Sequence, residues 1–217
     1  MRRDGKAATP RDGQPAILAG LSLAVLAVLI WSGFNPRDRF TWFLEVLPVL
    51  AAFPVLALTY RRFRFTTLTY AFIAVHMVVL MVGGKYTYAE VPLFNAIRDA
   101  FHLARNEYDR VGHLFQGFVP ALIAREILLR KSPLRPGGWL FFLVTCVCLS
   151  ISAGYEFFEW GVAVATGTAA DAFLGTQGDV WDTQWDMFMA LLGALLAQIL
   201  LSRVQDRQLE RTPQQDQ

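Results

Sequence analysis

Long apolar runs separated by short polar clusters dominate the chain. Six runs reach the roughly 18 residues expected of a membrane span: 15–34, 40–60, 66–83, 108–129, 138–164 and 182–201. None shows the alternating ten-residue pattern of a membrane strand. Within hydrocarbon only helices or closed barrels satisfy the backbone, so the pattern predicts an all-α, polytopic protein of six transmembrane helices. Pro48, Pro54 and Pro120 fall inside runs. They are compatible with membrane helices where neighbours re-satisfy the freed carbonyls, and are expected to kink them.

The polar segments set the orientation. One set holds Arg2, Arg3, Lys6, Arg11, Arg61, Arg62, Arg64, Arg125, Arg130, Lys131, Arg135, Arg203, Arg207 and Arg211, which is 14 of the 20 basic residues. The opposite set holds Arg37, Arg39, Lys85, Arg98, Arg105 and Arg110. The positive-inside rule then puts both termini in the cytoplasm. Between Pro136 and Ser202 there is no Lys or Arg but there are six acids, as expected of an outer segment. Residues 1–14 read as a disordered cytoplasmic tail, 15–204 as the six-helix domain and 205–217 as a second cytoplasmic tail. The first run lacks a small-residue cleavage site, so it reads as an uncleaved helix. The loop 85–107 is long and semi-polar, with an amphipathic interfacial helix expected over 92–103.

Composition agrees. The chain is 54% hydrophobic and 18% charged, with mean hydropathy +0.36, more apolar and less charged than a soluble domain. A net charge of +2 with no basic stripe excludes a nucleic-acid partner; the partner implied is the lipid bilayer. Cys146 and Cys148 point about 200° apart on a helix and cannot bridge each other.

Ionisable groups inside spans mark functional sites by default, and here they gather at one end of three helices. Asp109, His113 and Gln116 lie at i, i+4 and i+7, on one face. Thr145, Cys148, Ser152, Glu156 and Glu159 form a stripe that grows acidic towards its outer end. Asp179, Asp182 and Asp186 share the face that opens the last span, above the small residues Gly193 and Ala197. Asp109, His113, Glu156, Glu159, Asp182 and Asp186 are therefore expected to meet in one outward-facing pocket, with Glu45 at similar depth. Structural roles compete: Asp179 as a helix cap, Asp109 as partner of Arg105 or Arg110, His76 as a core histidine, and Glu126 paired with Arg125 or Arg130. The Trp residues near span ends fit an aromatic belt.

The stretches LEVLPVLAAFPVLALTYRRF, MVGGKYTYAEVPL, YDRVGHLFQGFVPALIAREILLR, GGWLFFLVTCVCL and DAFLGTQGDVWDTQWDMFMALLGA closely resemble the YjdF-like bacterial inner membrane proteins. That resemblance spans about 35–209 and implies a multi-pass inner-membrane location, with no established activity. A weaker resemblance is to VanZ-like membrane proteins, whose ordered Asp–His, Glu and Asp-rich elements match Asp109–His113, Glu156 and Asp179–Asp182–Asp186. The chain departs from that pattern at Trp160 and Met187.

Three functional classes follow. The leading one is a metal-dependent membrane enzyme acting on a lipid-linked or envelope substrate. Its divalent metal would be held by His113, Glu156, Asp182 and Asp186, with a spare Glu as base. The others are a proton- or cation-coupled transporter and a non-catalytic scaffold in which the cluster glues helices. A transporter requires polar residues that continue to the inner side.

Overall fold

The computed structural model describes residues 13–167 and 171–211, apart from the side chain of Asp171. The expected N-terminal tail lies outside these residues but for Gly13 and Gln14. Eight helices follow in order: α1 (Gln14–Gly33), α2 (Arg39–Thr59), α3 (Thr67–Lys85), α4 (Pro92–Phe101), α5 (Tyr108–Lys131), α6 (Gly138–Thr166), α7 (Asp171–Leu174) and α8 (Asp182–Glu210). The six apolar runs coincide with α1, α2, α3, α5, α6 and α8, and the described residues contain no strand.

Five of the six long helices are long and apolar enough to cross a membrane; α5 is not. The reason is positional. α5 packs against α3, α6 and α8 and is the hub of the bundle, so its polar side chains face other helices and need not be tolerated by lipid. Its partnership with α8 is the closest in the molecule. A Cβ on Gly117 would lie 2.8 Å from the Ala190 Cα, and one on Gly193 would lie 2.8 Å from the Phe118 backbone nitrogen. Each is inside van der Waals contact, so glycine at these two positions is what lets the backbones touch. Ala121, Ala190, Ala194 and Ala197 line the same seam and are fully buried.

One apolar core joins α1, α2 and α3 to Val119 of α5, and a second joins α5, α6 and α8. α1 is peripheral: Gln14, expected in the tail, heads the helix and donates to the Phe65 carbonyl and to Thr67. The last helix runs nine residues past the expected end of its span, so the segment from 205 is helical to Glu210. The short α4 buries none of its residues and exposes Leu93 and Phe101.

At the end of the bundle that carries the basic loops, polar groups close into a saturated network. The fully buried Glu126 accepts from the Thr66 backbone N–H at 2.9 Å and from the Thr66 and Thr69 hydroxyls at 3.0 Å each. It also accepts from Arg130 at 3.0 Å. The carboxylate thereby reinforces the N-terminus of α3. Arg125 pairs instead with Asp206, in a two-pronged contact of 2.8 and 3.1 Å. Gln205 of α8 links Thr69 to the Leu122 carbonyl.

Candidate functional site: a buried acid–histidine cluster

The opposite end of the bundle is built from the first turns of α5 and α8, the last turns of α6 and the second turn of α2. The α5–α8 seam explains the register. His113 lies one turn before Gly117, and Asp186 one turn before Ala190, so the contact that brings Gly117 onto Ala190 carries His113 to Asp186.

His113 sits at the centre. Its Nε2 is 3.5 Å from Asp109 Oδ1 and 3.8 Å from Asp186 Oδ2, and its Nδ1 is 3.9 Å from Glu156 Oε1. The amide oxygen of Gln116 faces Nδ1 at 3.0 Å. An N–H at Nδ1 donating to that oxygen leaves the Nε2 lone pair directed between two carboxylates, the arrangement by which a second shell orients a ligating imidazole. One ligand atom each from Asp109, His113 and Asp186 lies within 4.8 Å of the others. Donors bonded to one ion at about 2.0–2.6 Å lie no more than about 5 Å apart, so the three fit a single divalent cation.

Two buried oxygens of the cluster, Asp186 Oδ1 and Glu156 Oε1, have no hydrogen-bond partner among the described residues, nor does the neighbouring Ser152 hydroxyl. Asp186 is 2% exposed and Glu156 8%, so bulk water does not fill their lone pairs. Buried acceptors of this kind are costly and uncommon.

Glu159 and Glu45 belong to the same space. With Asp109, His113, Tyr88 and Tyr155 they line a cavity of about 160 Å³ whose deep end is Pro48, His76, Leu80, Pro120 and Ile151. The Tyr155 hydroxyl donates to Glu45 at 3.3 Å across the cavity. The Tyr88 ring is wedged against Gly83 and Gly112, where side chains would collide with it. Thr87 and Tyr88 both take left-handed backbone (φ +52° and +55°), a turn that aims the ring inward.

Asp182 plays a different part from the one expected of it. It is held by Arg105, which reaches Asp182 with one arm of its guanidinium and Asp109 Oδ2 with the other at 3.2 Å. Arg105 also donates to the Gly175 and Thr176 carbonyls, and Asn106 exchanges two hydrogen bonds with Gln177 at 2.9 Å each. These contacts stitch the segment before α5 to the segment before α8, forming a roof. Burial by itself disfavours the Arg105 charge, but the hydrogen bond to Asp182 and the adjacent acids more than offset it and hold the guanidinium above its ordinary pKa. Asp179 caps no helix with its side chain at α8 itself; it pairs with Arg110 at 2.8 Å and accepts from the Trp181 N–H.

The converging ligand atoms are thus those of Asp109, His113 and Asp186, with Glu156 and Glu159 beside them and Asp182 one step removed behind Arg105. Sequence reasoning gave Arg105 no role beyond a salt bridge and missed Tyr88 and Tyr155. Apart from Asp109, four residues on, the partners of Arg105 lie 70 to 77 residues away, in the loop before α8 and at its first residue, where no periodicity reports contact. The double glycine of GGKYTY was a faint signal for a ring that needs room.

Comparison with known proteins places this architecture. Residues 17–207 match the family described as "Predicted membrane protein (DUF2238)". The chain is 50% identical over 201 residues to inner membrane protein YjdF of Escherichia coli (strain K12), covering 93% of this chain and 96% of that protein. No solved structure matches, and neither comparison supports the VanZ-like resemblance. The chain is a multi-pass inner membrane protein and belongs to the DUF2238 family.

Proposed function

We propose that the acid–histidine cluster is a divalent-cation centre of a membrane enzyme, open to the outer face and acting on a lipid-linked or envelope substrate. The observation that carries this reading is the crowding of carboxyl groups around His113. Glu45, Asp109, Glu156, Glu159, Asp179, Asp182 and Asp186 gather there against the two guanidiniums of Arg105 and Arg110. Carboxylates so placed repel one another in low dielectric unless protons or cations intervene. The unpartnered oxygens of Asp186 and Glu156 point the same way.

Asp109, His113 and Asp186 are the ligands in this reading. One imidazole with carboxylate oxygens suits Mn²⁺ or Zn²⁺. A bound ion supplies Lewis-acid polarisation of a substrate oxygen or an activated water. Glu159 lines the cavity and would accept a proton from a nucleophile there, and Glu156 stands 3.9 Å from the imidazole. Arg105 positions Asp109, leaving Oδ1 free for the ion.

A transport role is less well supported. Below Asp186, α8 presents Ala190, Gly193, Ala194 and Ala197 before the next polar side chain, Gln198, twelve residues on and about 18 Å away along the helix. Leu122, Val144 and Cys148 fill the same level from α5 and α6. This apolar layer among the described residues is unlike the continuous polar lining that a transporter requires.

The test is calorimetric titration of Mn²⁺ and Zn²⁺ into the purified full-length protein in detergent. Binding should be saturable, and His113→Ala should weaken it by at least about a hundredfold while membrane insertion stays normal. A wild-type protein that takes up neither ion removes the metal centre from consideration.

A further inference from the structure

The cavity beside the cluster reaches well below it. Along α6 it spans Glu159 to Ile151, eight residues or about 12 Å of helix, and along α5 it spans Asp109 to Pro120, about 16 Å. Its carboxyl groups are at the top, and Leu80, Pro120 and Ile151, with the imidazole of His76, form its floor near the middle of their helices. The two walls differ. α3 and α5 pack on each other, whereas α2 and α6 do not form a packed pair. Among the described residues α7 packs on both α2 and α6, and the Tyr155–Glu45 hydrogen bond links the two helices directly. Immediately below it, Pro48 of α2 and Ile151 of α6 line the cavity and are also exposed on the outer surface of the bundle, Ile151 by 43%. The cavity therefore has an exposed edge between α2 and α6, two helices long and apolar enough to cross a membrane.

We infer that this gap is a lateral portal through which a membrane lipid places its oxygen-rich, anionic head at the acid–histidine cluster while its tail stays between α2 and α6. The inference rests on the cation centre proposed above, since the acids alone would repel such a head. Three features fit this occupant. A volume of about 160 Å³ is close to that of an apolar cavity that accepts a benzene ring, roughly 150 Å³. It suits a head and the first carbons of a chain, not a whole lipid. The mainly apolar floor and carboxyl-lined top reproduce the head-to-tail order of a lipid. At the base, the buried Nε2 of His76 lacks a partner, one turn from Leu80, and is available to an ester or ether oxygen near the head. The Tyr155–Glu45 bond lies over the portal, so a passing head must displace it.

The test uses the full-length protein in phosphatidylethanolamine vesicles containing phosphatidic acid with a photoactivatable diazirine on the first carbons of its chain, next to the head, with Mn²⁺ present. Labelled residues are mapped by peptide mass spectrometry. The inference expects label on His76, Leu80 and the Pro120 region, which line the cavity. Ile151→Trp, which narrows the portal, should lower that labelling by about tenfold. The control Phe157→Trp, at an exposed site off the cavity, should not. Label confined to outward-facing side chains of wild-type α2 and α6 overturns the portal, as does cavity labelling that Ile151→Trp leaves unchanged. Mn²⁺ titration of the same samples reports the cation centre separately. Intact ion binding with no cavity label sinks the portal alone, and absent ion binding sinks the centre.

Discussion

The α5–α8 seam allows the link between packing and site to be tested without touching a ligand. In Gly193→Ala the new Cβ would stand 2.8 Å from the Phe118 nitrogen and 3.0 Å from the Leu114 carbonyl carbon, with the Leu114 oxygen nearer still. Favourable carbon contacts begin near about 3.5 Å, and the obstructing atoms are backbone, so they cannot rotate away. The helices must part by about 1 Å, at a typical overpacking cost of about 1–3 kcal/mol. Asp186 is seven residues upstream, about 10 Å along a stiff helix, and moves with it. His113 Nε2 and Asp186 Oδ2, now 3.8 Å apart, would separate to nearly 5 Å, the limit for two donors on one ion at bonds of about 2.0–2.6 Å. Mn²⁺ affinity should fall by about tenfold to a hundredfold, and the detergent-solubilised protein should melt earlier. Unchanged Mn²⁺ affinity in a measurably destabilised Gly193→Ala would refute the claim that this seam sets the ligand geometry.

Other substitutions separate structure from function. Arg105→Ala strands the buried Asp182 and Asp109 and should cost about 3–5 kcal/mol of stability; Arg105→Lys should not restore it, because one ammonium cannot serve two carboxylates and two carbonyls. Both are read from thermal melts in detergent. Glu126→Gln should lower the melting temperature without altering Mn²⁺ affinity, whereas Asp186→Asn should abolish Mn²⁺ binding and raise the ion-free melting temperature. For orientation, a cytoplasmic reporter fused after Arg211 should be active and a periplasm-dependent phosphatase at the same point silent; an active phosphatase inverts the topology and turns the acid cluster inward.

The bundle is legible in the sequence because membrane helices announce themselves by length and apolarity, and because 3.6-residue spacing shows which side chains share a face. That is why Asp109 pairs with His113, and Glu156 with Glu159, on spacing alone. What spacing cannot show is which faces meet. The importance of Gly193 for close packing is visible in the chain, but its contact with Leu114 and Phe118 is not. Helix that continues past the membrane also escapes hydropathy, as in the stretch to Glu210, where charged residues follow the apolar run without a break in the backbone. Arg105 is hidden for a further reason. Its partners are two carbonyls and two carboxylates from three segments, and only the folded loops bring them within reach.

The two ends of the bundle form an internal control for the functional reading. Both bury carboxylates, so burial alone distinguishes neither. Glu126 has its lone pairs filled by a backbone N–H, two hydroxyls and Arg130; it is the kind of acid whose loss leaves several donors without an acceptor. Asp186 faces Asp109 and Glu156 across a single imidazole and keeps an unpartnered oxygen. Replacing it removes one carboxyl from a crowded set and leaves no donor stranded. The opposite signs expected for the two substitutions follow from that difference, not from residue type or depth. A fold that saturates one buried acid while leaving another underfilled is accepting instability at a specific place, and natural proteins break their own local rules in this way chiefly where a ligand makes up the difference. The ion proposed to fill the site at Asp186 would also draw an anionic head through the gap between α2 and α6, so the crowded acids and the proposed portal call for a single occupant chemistry.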